Sequence, residues 1–246
     1  MRKDGLFTVR QNWQIAQSVY EMVLEGDTSA ISAPGQFVNV EIEGLFLRRP
    51  ISVCDLNGDL LTLIYKVVGV GTEKLAEAKP GDCFSLLTGL GNGYDTAKCG
   101  QKPLLIGGGV GVPPMYYLAK CLIREGRRPC VVLCFNTEQD CFYVEQFRAL
   151  GCETVVATAD GSVGVKGFVT DAIRQSNLDY DYFCACGPEP MLRAVADCCA
   201  CGGQLSFEER MACGFGACMG CSCKTKYGNK RICKDGPVLL KEEVIW

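Results

Sequence analysis

The chain has 246 residues, 48% of them apolar and 22% charged, with a formal net charge of −3; this suits compact folded domains, excludes a disordered or fibrous polymer, and offers no basic footprint for nucleic acid or an anionic membrane. There is no histidine, which excludes imidazole acid–base chemistry, Ser-His and Cys-His nucleophile pairs, His-ligated zinc or iron, and axial-His haem. There are 18 cysteines, and a chain long enough to build a core without staples uses them more naturally as reduced thiols than as a disulfide framework.

The opening stretch MRKDGLFTVR lacks the apolar run of a secretion signal. The longest uncharged run, Pro103 to Ala119, is broken by four glycines and three prolines and is too short to span a bilayer. The expectation is a cytoplasmic protein without a membrane segment. From Gln14 to Leu87 come short β-type runs separated by turn residues: QIAQSVYEMVLE, QFVNVEI after Pro34-Gly35, RRPISVCDL, LLTLIYKVV after Asn57-Gly58, and CFSLL after Pro80-Gly81-Asp82. An Asn-Gly step before an apolar strand signals a hairpin, and five or six such strands in about ninety residues predict a small antiparallel barrel. One helical interruption is expected at Thr72 to Ala78.

From Lys102 the pattern becomes apolar strand, turn and amphipathic segment, repeated. PLLIGGGVG precedes PPMYYLAKCLIREG, PCVVLCFN precedes CFYVEQFRALG, ETVVAT precedes FVTDAIRQS, and DYFCACG precedes PEPMLRAVADCCACGG. Fully apolar strands alternating with such helices predict a doubly wound parallel sheet covered on both faces. The tail from Ser206 has too little apolar sequence for its own core, so something other than burial is expected to hold it. The expected units are residues 1–98, 99–205 and 206–246.

Three motifs carry chemistry. Cys213, Cys218, Cys221 and Cys233 are spaced C-x4-C-x2-C-x11-C, the ligand spacing of plant-type [2Fe–2S] ferredoxins. A four-thiolate zinc knuckle is the alternative, although it more often uses two C-x2-C pairs; Cys223 in place of Cys221 or Cys233 is a second, at the cost of a tight C-x-C bite. Gly107, Gly108, Gly109 and Gly111, followed by Pro113 and Pro114, stand between an apolar strand and a helix, where backbone N–H groups can approach a pyrophosphate. This is not the GxGxxG fingerprint, because Pro114 stands where the third glycine would be, and a tight turn without a ligand would also use glycine. Cys186, Gly187, Pro188 and Met191 close a later strand at its carboxyl end, where open α/β sheets bind ligands; the plain alternative is an ordinary strand-to-helix turn. In the barrel region Arg48-Arg49-Pro50-Ile51-Ser52 offers a forked phosphate donor, or else a solvated strand end, and Gly69-Val70-Gly71-Thr72 offers helix-start amides and a hydroxyl.

The order RPIS, IYK, GVGT, GGGVGVPPM, CGPEPM, the four-cysteine spacing and RICKDGPV resembles the electron-transfer subunits of type B (NAD-dependent) dihydroorotate dehydrogenase, within the ferredoxin–NADP reductase superfamily. The resemblance covers nearly the whole chain. It implies an antiparallel FAD-binding barrel, an NAD-binding Rossmann-like domain and a small C-terminal [2Fe–2S] domain. It implies that Arg49, Pro50, Ile51 and Ser52 contact FAD, with Arg49 on the pyrophosphate and Ser52 near the reactive edge, and that Ile64, Tyr65, Lys66, Gly71 and Thr72 complete that site. Gly107 to Gly111 and Cys186 to Met191 would hold NAD, and Cys213, Cys218, Cys221 and Cys233 would ligate the cluster. Ile51 stands where many relatives place a flavin-stacking tyrosine. The acidic stretch Thr137-Glu138-Gln139-Asp140 lacks the arginine expected for a 2′-phosphate, which favours NAD over NADP.

The implied activity is electron transfer between NAD and a partner carrying FMN, on which dihydroorotate is oxidised, in a heterotetramer of two copies of each chain serving pyrimidine biosynthesis. Hydride transfer between aligned cofactors needs no protein acid or base, so no catalytic side chain is expected here. The rival readings are an iron–sulfur flavoprotein subunit of another NAD(P)H complex, such as a ferredoxin-dependent oxidoreductase or a hydrogenase diaphorase, and a zinc-bound scaffold on a vestigial reductase fold.

Overall fold

A computed structural model describes residues 2–246. The first six strands are β1 (Lys3–Ala16), β2 (Val19–Glu25), β3 (Phe37–Val40), β4 (Arg49–Asn57), β5 (Leu60–Lys66) and β6 (Cys83–Leu90), with helix α1 (Val70–Ala76) between β5 and β6. They close an antiparallel barrel in the order β1-β2-β5-β4-β3-β6. Period-2 alternation decides what fills it: Phe7, Val9, Met22, Leu24, Val38, Val40, Ile51, Val53, Leu61, Leu63, Tyr65 and Leu86 form the interior cluster. β1 begins earlier than the sequence pattern indicates, because KDGLFTVRQNW is mostly polar and only Phe7 and Val9 of it point inward. The run QIAQSVYEMVLE is divided by a turn in which Ser18 takes a positive φ of 57°. The expected helix at Thr72 to Ala78 starts two residues earlier, at Val70.

The second sheet has seven strands in the order β10-β9-β8-β7-β11-β12-β15. Its strands are β7 (Pro103–Gly108), β8 (Cys130–Phe135), β9 (Glu153–Thr158), β10 (Val165–Lys166), β11 (Tyr182–Cys186), β12 (Gly203–Ser206) and β15 (Val238–Leu240). The first six pair in parallel, and β15 alone runs antiparallel, beside β12. Helices α2 (Val112–Arg124) and α3 (Val144–Ala149) cover one face, where Leu105, Val131, Leu133 and Cys184 meet Met115, Leu118, Leu122 and Phe147. Helices α4 (Val169–Gln175) and α5 (Glu189–Cys198) cover the other, over Leu104, Ile106, Val132, Phe183 and Ala185. No helix among the described residues is long and apolar enough to cross a membrane.

The barrel docks on this sheet through apolar contact from Val19, Cys54, Ile64 and Tyr94. It also docks through the Lys120 ammonium on α2, which lies 2.6 Å from both Asp55 oxygens on β4. The tail amends an expectation. Ile232, Cys221, Cys233, Leu239 and Val244 are buried in the same cluster as the α4–α5 face of the sheet, so burial does hold it: a segment without a core of its own borrows the neighbour's. Between β12 and β15 lie a cysteine-bearing loop, the hairpin β13 (Ser222–Thr225) with β14 (Gly228–Arg231), and the short α6 (Ile232–Asp235). None of the 18 cysteines is in a disulfide, and Cys54, Cys99, Cys130, Cys152, Cys184 and Cys199 are core residues, used as small apolar side chains.

Candidate functional site

A cavity of ≈ 620 Å³ opens at the carboxyl edge of the sheet. Gly108 and Gly109 line it from the turn after β7, Pro188 and Met191 from the turn after β11, and Phe135, Asn136 and Asp140 from beyond β8. The two turns predicted from sequence are therefore brought together. They are in backbone contact: a Cβ on Gly111 would collide with the Cys186 carbonyl, and one on Gly108 with the Met191 sulfur. Gly109 has φ of +51° and open space around its Cα, the conformation glycine adopts without cost. α2 then begins with Pro113 and Pro114 in its first turn. Cys186 is 3% exposed; burial, reinforced by the Glu208 charge, pushes its thiol up to about 12, so it is a neutral small side chain and not a nucleophile.

The barrel residues divide. Of the predicted barrel residues only Lys66 lines this cavity, with its ammonium 3.9 Å from the Asp140 carboxylate. Tyr65 points into the barrel and its hydroxyl donates to Asn12 Oδ1 at 3.0 Å, while Ile64 points outward into the barrel–sheet interface. Ile51 is 8% exposed within the barrel interior, whereas Pro50 and Ser52 take the alternate, outward positions of β4. Arg49 lies against the start of α1, its guanidinium occupying the space a Cβ on Gly71 would need. The Thr72 hydroxyl is taken up by the helix start, accepting from Val68 N at 2.9 Å and donating to Gly69 O at 2.9 Å. Sequence reasoning did not single out Phe168, Thr170 or Glu208, which also line the cavity. Phe168 and Glu208 lie on loops and Thr170 in the first turn of α4, and their only signal is that they follow strands at the same sheet edge.

The cysteine loop follows directly from Glu208. Gly214, Gly216 and Met219 have φ of 73°, 87° and 62°, curling the chain so that amides face sulfur. Ala217 N lies 3.3 Å from Cys213 Sγ and Cys233 N lies 3.4 Å from Cys221 Sγ. Burial raises the Cys213 thiol, but N–H groups of Cys218, Phe215 and Ala217 and the Cys218 thiol outweigh it and draw it down to about 6. Burial, then the neighbouring Cys221 thiol, push Cys233 up to about 12. Among the described residues no three acidic or thiol side chains form a ready-made site for one ion. Cys218 acts on the Cys213 thiol, and Cys221 and Cys213 both act on Cys233, so the four predicted thiols are neighbours in space. Neighbouring thiols that receive backbone N–H donors at two of the four sulfurs, at the plant-type ligand spacing, fit a [2Fe–2S] group. Arg231 pins the loop, donating to Gly216 O at 2.9 Å. Cys223 stands on β13 opposite Lys230 and packs toward the sheet's core.

Comparison with known proteins agrees with this layout. Residues 208–245 match the iron–sulfur cluster binding domain of dihydroorotate dehydrogenase B, and residues 105–197 match the oxidoreductase NAD-binding domain. The chain is 44% identical over 257 residues, covering 100% of both chains, to the dihydroorotate dehydrogenase B (NAD(+)) electron transfer subunit of Geobacillus sp.. It is 44% identical to that of Fusobacterium nucleatum, covering 96% of both. Among solved structures, a chain of the NADH-dependent reduced ferredoxin–NADP oxidoreductase superposes with a TM-score of 0.89 at 30% identity, covering 98% of this chain and 90% of that one. Phthalate dioxygenase reductase, at 18% identity and a TM-score of 0.61 with 78% and 63% covered, shares the fold. Full-length identity of this order, together with the cluster-domain match, shows that the chain belongs to the family of electron transfer subunits of dihydroorotate dehydrogenase B (NAD(+)).

Proposed function

We propose that this chain carries electrons between NAD and a catalytic partner subunit that oxidises dihydroorotate on FMN, in pyrimidine biosynthesis, in a cytoplasmic heterotetramer of two copies of each chain. The observation that carries the proposal is the continuity of the sites. The segment leaving β12 passes from Glu208 at the cavity to Cys213 in the thiol loop, and that loop rests on barrel strand β3 through Asn39, whose amide donates to Cys213 O at 3.3 Å. When bound, NAD and FAD supply hydride chemistry and a [2Fe–2S] cluster supplies one-electron chemistry.

The chain's own residues hold and separate these groups. Gly107, Gly108, Gly109 and Gly111, with Cys186, Gly187, Pro188 and Met191, shape a cavity whose backbone amides can face a pyrophosphate. Asp140 at its β8 side favours an unphosphorylated ribose, since a 2′-phosphate would meet a carboxylate. The Arg49 fork against the start of α1 suits the FAD pyrophosphate, with Pro50 and Ser52 on the outward face of β4. With Ile51 and Tyr65 turned into the barrel, these two serve FAD through their backbone and by shaping the wall. Cys213, Cys218, Cys221 and Cys233 serve as cluster ligands, with Ala217 N–H and Cys233 N–H donating to sulfur. No histidine is needed, because no step on this chain requires a side-chain base.

The likeness to the NADH-dependent reduced ferredoxin–NADP oxidoreductase chain supports the second reading, an equivalent subunit of another NAD(P)H complex. Co-purification with the partner, followed by assay of NAD-linked dihydroorotate oxidation, separates the two. A coloured flavin and iron–sulfur complex that reduces NAD with dihydroorotate is expected. A complex of the same colour that does not turn over dihydroorotate overturns the first reading, and a colourless zinc protein overturns both.

A further inference from the structure

We propose that Asn39 is a positioning residue for the iron–sulfur cluster, tying the loop that carries Cys213 to the barrel wall beside Arg49–Ser52 and tuning the cluster through that ligand's peptide. The inference rests on Cys213 being a cluster ligand. Asn39 is 1% exposed and sits on β3, whose alternation sends Val38 and Val40 into the barrel. Phe37, on the outward face with Asn39, packs into the cluster that also contains Cys221, Ile232 and Cys233. In the ladder Asn39 stands opposite Pro50 of β4 and Leu87 of β6, neither of which has a polar side chain to offer it.

Its Nδ2 donates to the Cys213 carbonyl at 3.3 Å, across 174 positions of sequence. Gly214, at φ of +73°, lies so close that a Cβ there would collide with the same Nδ2. The other end of the amide, Oδ1, is buried without a partner. The contrast with Gln36, three residues earlier and also buried, is informative. Its Oε1 accepts from Ser32 N at 2.8 Å and Ala33 N at 3.1 Å, and its Nε2 donates to Gly91 O at 2.8 Å, so it is a saturated structural strut. Asn39 spends only its donor, and spends it on the ligand loop. Leucine would fill the same volume without an unmet acceptor, so packing does not account for an amide here. A donor to the carbonyl of a ligating cysteine fixes the orientation of the Cys213–Gly214 peptide, the start of the turn whose Ala217 N–H lies 3.3 Å from Cys213 Sγ. Hydrogen bonding around the sulfurs is one of the levers that set a cluster's potential.

The test uses the full chain co-expressed with its catalytic partner, comparing wild type with Asn39→Leu and Asn39→Asp by EPR of the reduced cluster, potentiometric titration, and iron and flavin content. Both variants are expected to keep flavin and to show altered g-values. Asn39→Asp, which removes the donor and adds negative charge, should lower the cluster potential by about 59 mV, a tenfold change in the one-electron equilibrium. Loss of iron with flavin retained also supports the inference. Unchanged g-values and potential in both variants overturn it, as does joint loss of flavin and iron in both, which would mark Asn39 as a folding residue only. A wild-type complex without a [2Fe–2S] signal overturns the ligand reading itself, and is distinguishable from either.

Discussion

Gly111→Ala probes the contact on which the nucleotide cavity depends. The added Cβ would collide with the Cys186 carbonyl and stand 2.8 Å from the Gly187 nitrogen, where ordinary contact begins at 3.4 Å. Both neighbours are backbone, so no side chain can swing aside, and the turn after β7 must part from the turn after β11 by roughly 0.5 Å or more. Overpacking of this kind costs about 1–3 kcal/mol, which in a chain of this size lowers Tm by about 2–4 °C per kcal/mol. Because Gly108, Gly109, Pro188 and Met191 line opposite sides of one cavity, the same displacement misaligns whatever they hold, and a misplacement approaching 1 Å costs on the order of 10²-fold in rate. The assay is NADH-dependent ferricyanide reduction by the purified complex, with KM and kcat measured separately, alongside thermal unfolding. Gly109→Ala is the control: nothing lies within 4 Å of its added Cβ, so its cost is only the positive φ, about 1–2 kcal/mol. Gly111→Ala with kcat, KM and Tm all as in wild type, or less damaging than Gly109→Ala, would refute the close-approach reasoning.

Cys218→Ser should abolish the iron–sulfur absorbance while Cys223→Ser leaves it, and the reverse would refute the ligand assignment. Lys120→Met removes the partner of Asp55, where the two side chains are 17% and 19% exposed. Stability should fall by about 1–3 kcal/mol, with Asp55→Asn partly restoring it; strict additivity in the double-mutant cycle would show that the pair is uncoupled. Burial, with the Asp55 charge, raises the Glu21 carboxyl even though Tyr143 stands beside it to stabilise the charge. A raised carboxyl destabilises the fold above its unfolded-state range and is relieved as pH falls. Glu21→Gln should therefore raise Tm at pH 8 and have little effect at pH 4, and equal effects at both would contradict the assignment.

Much of the fold is visible in the linear pattern because periodicity reports burial directly. LLIGG, CVVLCF and YFCAC are apolar on both faces, as β7, β8 and β11 must be inside a covered parallel sheet, β9 becomes so after its exposed Glu153, and the Asn57-Gly58 hairpin fixes the β4–β5 pairing. β1 was legible only at its end, since a strand with most side chains in water carries few apolar residues to reveal it. β12 and β15 were missed because GQLS and VLL are short, and their burial comes from neighbours and not from their own pattern.

Composition and spacing alone determined that this chain works without imidazole, that four of its cysteines are set apart from the apolar remainder, and that glycine turns follow apolar strands at two places. These are local facts, fixed by residue type and separation. Only the tertiary structure decided that the two turns touch through Gly111 and Cys186, that Ile51 and Tyr65 face the barrel interior while Lys66 faces the cavity, and that Cys213 is brought near Cys233. It also decided that the tail is anchored in the sheet's core and braced on the barrel by Asn39. Most of these join residues far apart in sequence, and such contacts are set by how whole faces pack, which no short window of sequence encodes.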